Sequence, residues 1–339
     1  MSNSVTVLFI GDPHIQIDNI PEVELCIEKL VQLAQEKKPT FIIIAGDLLH
    51  THERLHTIPL NKSYDFIDKM RNISKTFVLV GNHDMCNNSQ FLNNNHWMNG
   101  LKEWKNVVIV DKVILESINN IQFILSPYVF PGRFEEALNT IDGDWIQSNC
   151  IFAHQEFFGC KMGAIISVEG DKWPLDYPPV ISGHIHSRQQ PQKNIYYPGS
   201  MLQHAFGESG KNIIAYLTFN ANQKEYLLEE IDLKLPRKKI IYMDVENLDD
   251  YKIEDKGDDK IKITVSGSYD QFKALKKTKK YKKIIEDGVK IVFKPKKIEV
   301  EQNLHIVNEK TFTTILNEII NQQKNDYLFH TYELVVNNK

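Results

Sequence analysis

Five short apolar runs stand along the first two thirds of the chain, and each stops at a small polar cluster. Residues 5–10 run into Gly-Asp-Pro-His, residues 41–45 into Gly-Asp-Leu-Leu-His, and residues 77–80 into Gly-Asn-His-Asp. Residues 150–153 lead into His154, and residues 180–182 into Gly-His-Ile-His. Uninterrupted runs of this length predict strands buried on both faces. Between the first two, Val23, Cys26, Ile27, Leu30, Val31 and Ala34 keep three-and-four spacing, with Pro21 suited to a first helical turn. The alternation is βαβ, which predicts an α/β fold. Polar side chains just past the carboxyl ends of several strands are where open α/β sheets place their sites.

Further along, residues 195–197, 212–219 and 225–233 read as strands, and residues 234–237, with Pro236, as a boundary. Beyond it, residues 239–245, 261–265 and 289–293 read as strands around a helix containing Phe272 and Leu275, a small α+β domain. Phe312, Ile315, Leu316, Ile319 and Ile320 have the spacing of an amphipathic helix. The expected organisation is a core over 1–233, a small domain over 238–300 and a helical tail over 301–339. The Asn-rich stretches at 87–88 and 93–95 read as loops.

Composition narrows the class. A chain of 339 residues is long for one minimal domain, and 42% hydrophobic with 25% charged residues is ordinary for a globular protein. The net charge of −4 provides no global field for nucleic acid, so any such surface must be local. No apolar run approaches the ~20 residues that span a bilayer, and the apolar run at 5–10 is too short for a signal peptide. The four cysteines show neither knuckle spacing nor disulfide density, as expected of reduced thiols in an intracellular protein without a membrane partner.

Each polar cluster alone is weak, since a Gly-Asp after a strand is usually a turn and a lone His is usually a core or surface residue. Five strand-end clusters supplying Asp, Asn and His are a different matter. Oxygen and imidazole donors without thiolate suit a pair of divalent ions such as Mn, Fe or Zn, and an Asp can bridge two ions.

The series Asp12-Pro13-His14, Gly46-Asp47, Gly81-Asn82-His83-Asp84, His154 and Gly183-His184-Ile185-His186 resembles the calcineurin-type metallophosphoesterases over roughly residues 5–220, in the family's order. The resemblance implies a β-sandwich flanked by helices. It implies that Asp12, His14 and His186 hold one metal, that Asn82, His154 and His184 hold the other, and that Asp47 bridges them. His83 is then placed over the substrate, with Asp84 orienting its imidazole.

Three features narrow the resemblance: His50 in Gly46-Asp47-Leu48-Leu49-His50, then Tyr197-Pro198-Gly199-Ser200, then Phe206-Gly207-Glu208. Together they are similar to the SbcD-type nucleases of double-strand-break repair. That likeness implies a Mn-dependent DNA nuclease, with His50 as a further active-site histidine and the small domain as a DNA-gripping cap. It also implies a homodimer whose tail docks an SbcC-type ATPase. Ile15-Gln16 replaces the family's usual Leu-Gly, and Pro59 falls late after His50.

The lysine run offers separate support. Lys273, Lys276, Lys277, Lys279, Lys280, Lys282 and Lys283 are interleaved with Phe272, Leu275 and Tyr281, and no acid falls within 271–283. Lys276, Lys277, Lys279, Lys280 and Lys283 are candidate DNA-backbone contacts, although such runs are more often solvated faces. The alternatives are a small-molecule or cyclic-nucleotide phosphodiesterase, which has no need of residues 235–339, and a DNA-tethering scaffold with a spent site.

Overall fold

The computed structural model describes residues 4–296 and 312–337, apart from Glu53, residues 209–211, Gln223's neighbours at 222 and 224, residues 253–256 and Lys324. Two compact units result, Met1–Lys294 and Pro295–Lys339.

The first unit is built on two six-stranded sheets. In the first, β1 (Ser4–Ile10), β2 (Phe41–Ile44), β3 (Lys75–Leu79) and β4 (Val107–Val110) are parallel neighbours. The second sheet is centred on β6 (Ile121–Leu125), β7 (Cys150–His154) and β10 (Val180–Gly183), again parallel, with β5 (Ile114–Ile118) antiparallel at one edge. A short hairpin, β8 (Lys161–Met162) and β9 (Ile165–Ile166), stands apart from both. The far edge of the second sheet is β11 (Gln189–Gln192) and β12 (Ile195–Tyr197). The chain then returns to the first sheet as β13 (Ile214–Asn220) and β14 (Leu227–Ile231), antiparallel beyond β1.

Both faces of each sheet are covered, and the strand sequences show why they do not alternate in polarity. Val7 and Phe9 of β1 face the space between the sheets, where Phe41, Phe77, Phe123, Phe152 and Phe219 join them. Leu8 and Ile10 face the other way, onto α1 (Ile20–Lys37) and α2 (Thr57–Arg71), against Leu30, Phe66 and Met70. On the outer face of the second sheet, Ile151 and Tyr197 pack on α3 (Phe134–Leu138), Trp145 and Trp173. Helix α1 ends where Lys38 turns left-handed and its N–H returns to the Ala34 carbonyl at 2.9 Å.

A third, three-stranded sheet follows: β15 (Lys238–Asp244), β16 (Lys260–Gly267) and β17 (Lys290–Pro295). It has its own apolar cluster around Ile263, Val265, Phe272 and Ile284. The single expected helix is two, α4 (Tyr269–Leu275) and α5 (Lys279–Glu286). Thr278 divides them by accepting the Tyr281 N–H at 3.1 Å as an N-cap. The second unit contributes α6 (Phe312–Gln322), the expected amphipathic helix, and α7 (Asp326–Asn337). Among the described residues, no helix is long and apolar enough to cross a membrane.

Candidate metal centre

The five polar clusters converge because the strands that carry them run parallel and end together. Asp12 and His14 follow β1, Asp47 follows β2, Asn82 and His83 follow β3, His154 is the last residue of β7, and His184 and His186 follow β10. Asp12, His14, Asp47, Asn82 and His154 are all buried.

The donor atoms form two groups sharing one oxygen. In the first group, Nε2 of His14 lies 3.0 Å from Nε2 of His186. In the second, Oδ1 of Asn82 lies 3.1 Å from Nε2 of His154 and 3.0 Å from Nδ1 of His184. Oδ2 of Asp47 stands between the groups, 3.4 Å from Nε2 of both His14 and His154. Donors held about 2.0–2.2 Å from one ion are themselves separated by roughly 3 Å at right angles. Two facing imidazole nitrogens cannot satisfy each other unless one carries a proton, but both can face a cation. Asp12, His14 and His186 form one set of converging donors, and Asp47, His154 and His184 another.

The buried polar accounting points the same way. Oδ2 of Asp12 accepts the His184 N–H at 2.8 Å, whereas its Oδ1 is buried without a hydrogen-bond partner. Burial raises the Asp12 carboxyl above its ordinary value, opposed by His154. Burial also pushes the His154 ring down, yet Asp47 and Asp12 outweigh it and hold the ring at about 9. Burial drives the His14 ring well below its ordinary value. The orphaned Oδ1 of Asp12 and the raised His154 ring mark a pocket that draws positive charge, which divalent ions can supply. The residues fit the metal pair.

The backbone is strained to achieve this. His14, Asp47 and His184 have φ of 41°, 49° and 77°, the left-handed region. Each such residue costs roughly 1–3 kcal/mol and persists where the surroundings over-determine it. The glycines of the motifs make room: a Cβ on Gly81 would lie 2.2 Å from Oδ1 of Asp47, and one on Gly183 would lie 2.6 Å from Oδ1 of Asp12.

Three more histidines flank this pair of sites. His83 donates Nδ1–H to the His50 carbonyl at 2.7 Å, which leaves its Nε2 free. Its ring is stacked between those of His52, at 4.4 Å, and His50, at 5.8 Å. Nδ1 of His50 lies 3.4 Å from Nδ1 of His14. Burial lowers the His83 ring, favouring its neutral form over the imidazolium. The structure gives Asp84 a task different from orienting His83. Its carboxylate accepts the N–H groups of Leu48 and Gly81, both at 3.1 Å, and Nε1–H of Trp97 at 3.0 Å. Asp84 thus ties the loop carrying Asp47 to the loop carrying Asn82. Burial, with Asp47 nearby, raises it to about 7.

Residues that motif reading does not single out for a role complete the surroundings. Oε1 of Glu208 accepts from Nδ1 of His186 at 3.2 Å, and its Oε2 takes the N–H groups of His204 and Ala205 at 2.7 and 2.9 Å. Burial opposes these bonds, but they hold the carboxyl at about 2. His204 donates Nε2–H to the Asp12 carbonyl at 3.0 Å, and Oε2 of Glu156 lies 3.9 Å from Nε2 of His184. Glu208 belongs to a sequence motif, yet nothing in its spacing tells which ring it backs.

The lysine run lies elsewhere, on the small three-stranded module. Lys276 and Lys277 occupy the turn before α5, and Lys279, Lys280 and Lys283 lie on that helix, all but the half-buried Lys280 being exposed. Lys276 sits over the Phe272 ring at 4.7 Å.

Residues 5–188 match the model of the calcineurin-like phosphoesterase family. The chain is 47% identical over 321 residues to "Putative phosphoesterase 078R" of Invertebrate iridescent virus 3, covering 93% of this chain and 92% of the relative. It is 52% identical over 277 residues to "Putative phosphoesterase 244L" of Invertebrate iridescent virus 6, covering 80% and 98%. A purple acid phosphatase from yellow lupin seeds is similar with a TM-score of 0.44 and 12% identity, covering 69% of this chain and 52% of that one. The paired donor sets at the strand ends lie within or next to the matched segment, and the chain belongs to the calcineurin-like phosphoesterase family.

Proposed function

We propose that the protein is a metal-dependent phosphodiesterase that cleaves DNA, a nuclease of the SbcD type working with manganese. The supporting observation is the cleft beside the donor sets. It has a volume of about 760 Å³ and is lined by Lys161 and Met162 of the β8–β9 hairpin, by His184 and His186, and by Phe206 and Glu208. A phosphate alone needs far less room. Aromatic and thioether surface beside a cation suits stacked bases on a charged backbone.

In this reading Asp12, His14 and His186 hold one ion, Asn82, His154 and His184 hold the second, and Asp47 is shared. A divalent pair supplies Lewis acidity toward phosphoryl oxygens and a nucleophilic water at neutral pH. The chain's own residues do the rest. The His50 carbonyl fixes Nδ1–H of His83, so Nε2 is the atom that must first take up a proton from solvent, and the imidazolium so formed gives that proton to the leaving oxygen. His50 lies beside it as a second ring facing the phosphate. The module over 238–300 is the DNA-gripping cap. The tail, whose helices expose Ile315, Ile319, Tyr327 and Val335, is the segment that receives an SbcC-type ATPase.

The test is a metal-swept assay on linear duplex, hairpin and single-stranded DNA, cyclic nucleotides and bis(p-nitrophenyl) phosphate. DNA cleavage that appears with Mn²⁺ and disappears with chelator supports the reading. Hydrolysis of cyclic nucleotides with no DNA cleavage overturns it in favour of a small-molecule phosphodiesterase.

A further inference from the structure

Lys238 opens β15, the first strand of the small module, and makes an unusual number of bonds to a loop of the metallophosphoesterase core. Its ammonium donates to the carbonyls of Gln203 and His204 at 2.8 and 2.9 Å and pairs with Glu22 of α1 at 3.1 Å. Its backbone is held as well. The Lys238 N–H donates to Oε1 of Gln203 at 2.7 Å, and Nε2 of Gln203 donates to the Lys238 carbonyl at 3.1 Å. The same Nε2 reaches the Glu208 carbonyl at 3.1 Å. Gln203 is buried, so these bonds have no water to replace them.

The loop held this way, residues 203–208, is the one that backs a single metal set. Glu208 orients His186 through Nδ1, and His204 holds the Asp12 carbonyl. The His204 ring also packs against those of His14 and His186, at 4.9 and 5.1 Å. All three of those partners, Asp12, His14 and His186, belong to the first donor set. Asn82, His154 and His184 of the second set bond and stack with other residues instead.

We propose that Lys238 is a positioning residue for the Asp12–His14–His186 site, so that the attachment of the small module sets the ion affinity of that site and not of its neighbour. The ammonium donates to two successive carbonyls and so pins the loop whose far end carries Glu208. Releasing it frees the loop to shift, and the His186 ring with it. Bonds that orient a metal-ligating histidine change affinity by about 10–100-fold when broken. Whatever moves β15 relative to the core would then be felt at one ion only. The inference rests on the metal reading of the site and is independent of whether DNA is the substrate.

The experiment is calorimetric titration of the ion-free full chain with Mn²⁺, which resolves two binding steps if the sites differ. Lys238→Met should weaken one step about 10–100-fold and leave the other within error, and Lys238→Arg, which keeps the charge and the donors, should restore it. Lys260→Met is the control. Lys260 pairs with the same Glu22 but is not bonded to the loop, so its loss should change neither step. Should Lys238→Met fail to fold, Lys238→Gln, whose amide still has donors, carries the same comparison. Two wild-type-like steps in Lys238→Met, equal weakening of both steps, or the same loss in Lys260→Met would each overturn the inference. Absence of any Mn²⁺ binding by the wild type would instead overturn the metal reading on which it rests.

Discussion

His184 and His186, two positions apart in one motif, turn opposite ring nitrogens to the donor cluster. Nδ1 of His184 lies 3.0 Å from Oδ1 of Asn82, and Nε2 of His186 lies 3.0 Å from Nε2 of His14. The outward nitrogens are correspondingly opposite, Nε2 of His184 toward Glu156 and Nδ1 of His186 toward Glu208. The left-handed backbone at His184 makes this possible by rotating one ring's root relative to the next. Glu208 thus selects the tautomer of His186, the arrangement by which ligand histidines are commonly oriented, whereas Glu156 at 3.9 Å is too far from His184 for a hydrogen bond.

Glu208 is the closer of the two, so its removal should be the more costly. Glu208→Ala should weaken Mn²⁺ binding about 10–100-fold, read by titration, and Glu156→Ala should have a smaller effect. An unchanged isotherm for Glu208→Ala would remove the orienting role.

Asp47 stands between the two sets, so one substitution should disable both. Asp47→Asn should abolish hydrolysis of every phosphodiester and cut bound Mn²⁺, measured by elemental analysis, well below the wild-type content. Full activity on bis(p-nitrophenyl) phosphate in this variant is incompatible with a shared ligand.

His83 donates its backbone N–H to Oδ1 of Asp47 at 2.8 Å and its ring lies 4.8 Å from that of His14, but in the proposed reading it holds no ion. His83→Ala should retain metal, while turnover falls by roughly 10²–10⁴, the usual share of a positioned acid. Loss of metal along with activity would place His83 among the ligands instead.

For the lysines, salt is the ruler. Neutralising Lys276, Lys277, Lys279 and Lys280 together should weaken duplex binding across sequences. The slope of log affinity against log salt should become shallower by up to about 0.9 for each phosphate that no longer meets a lysine. A slope identical to the wild type's would leave these lysines as a solvated face.

Stability should hinge on the space between the sheets. The Phe123 ring is 5.4 Å from Phe41, 5.8 Å from Phe152 and 5.0 Å from Phe219, with no exposure. Phe123→Ala should cost about 3–5 kcal/mol in denaturant unfolding. A loss under about 1 kcal/mol, far below that range, would mean that the two sheets repack around the gap.

The convergence of the candidate donors is legible in the sequence because each cluster follows an apolar run, so local pattern and strand end coincide. Helix α2 is not, although Phe66, Ile67 and Met70 do form a stripe. It opens among polar residues, with His56 as an N-cap accepting the Ile58 N–H at 3.2 Å. Adjacency makes Asp84 look like a partner for His83, whereas its side chain turns back to the buried N–H groups of Leu48 and Gly81. The helix containing Phe272 and Leu275 is legible, but the one after it is not, because Thr278 caps a second helix after the first has ended. Glu208, His204 and Lys238 meet in a loop whose path is set by tertiary packing, which no periodicity records. The antiparallel return of β13 beside β1 is of the same kind, a pairing between strands far apart in the chain.

The donor sets draw on both sheets, and this orders events during folding. Asp12 accepts from the backbone of His184, 172 residues away. A chain still emerging, or one with only the first sheet assembled, has Asp12, His14, Asp47 and Asn82 but neither set complete. Contacts this distant in sequence form late, after the loop-closure entropy has been met. A complete pair of donor sets therefore requires both sheets to be in place. A phosphoesterase site divided between the sheets in this way is silent in every chain that has formed only one of them.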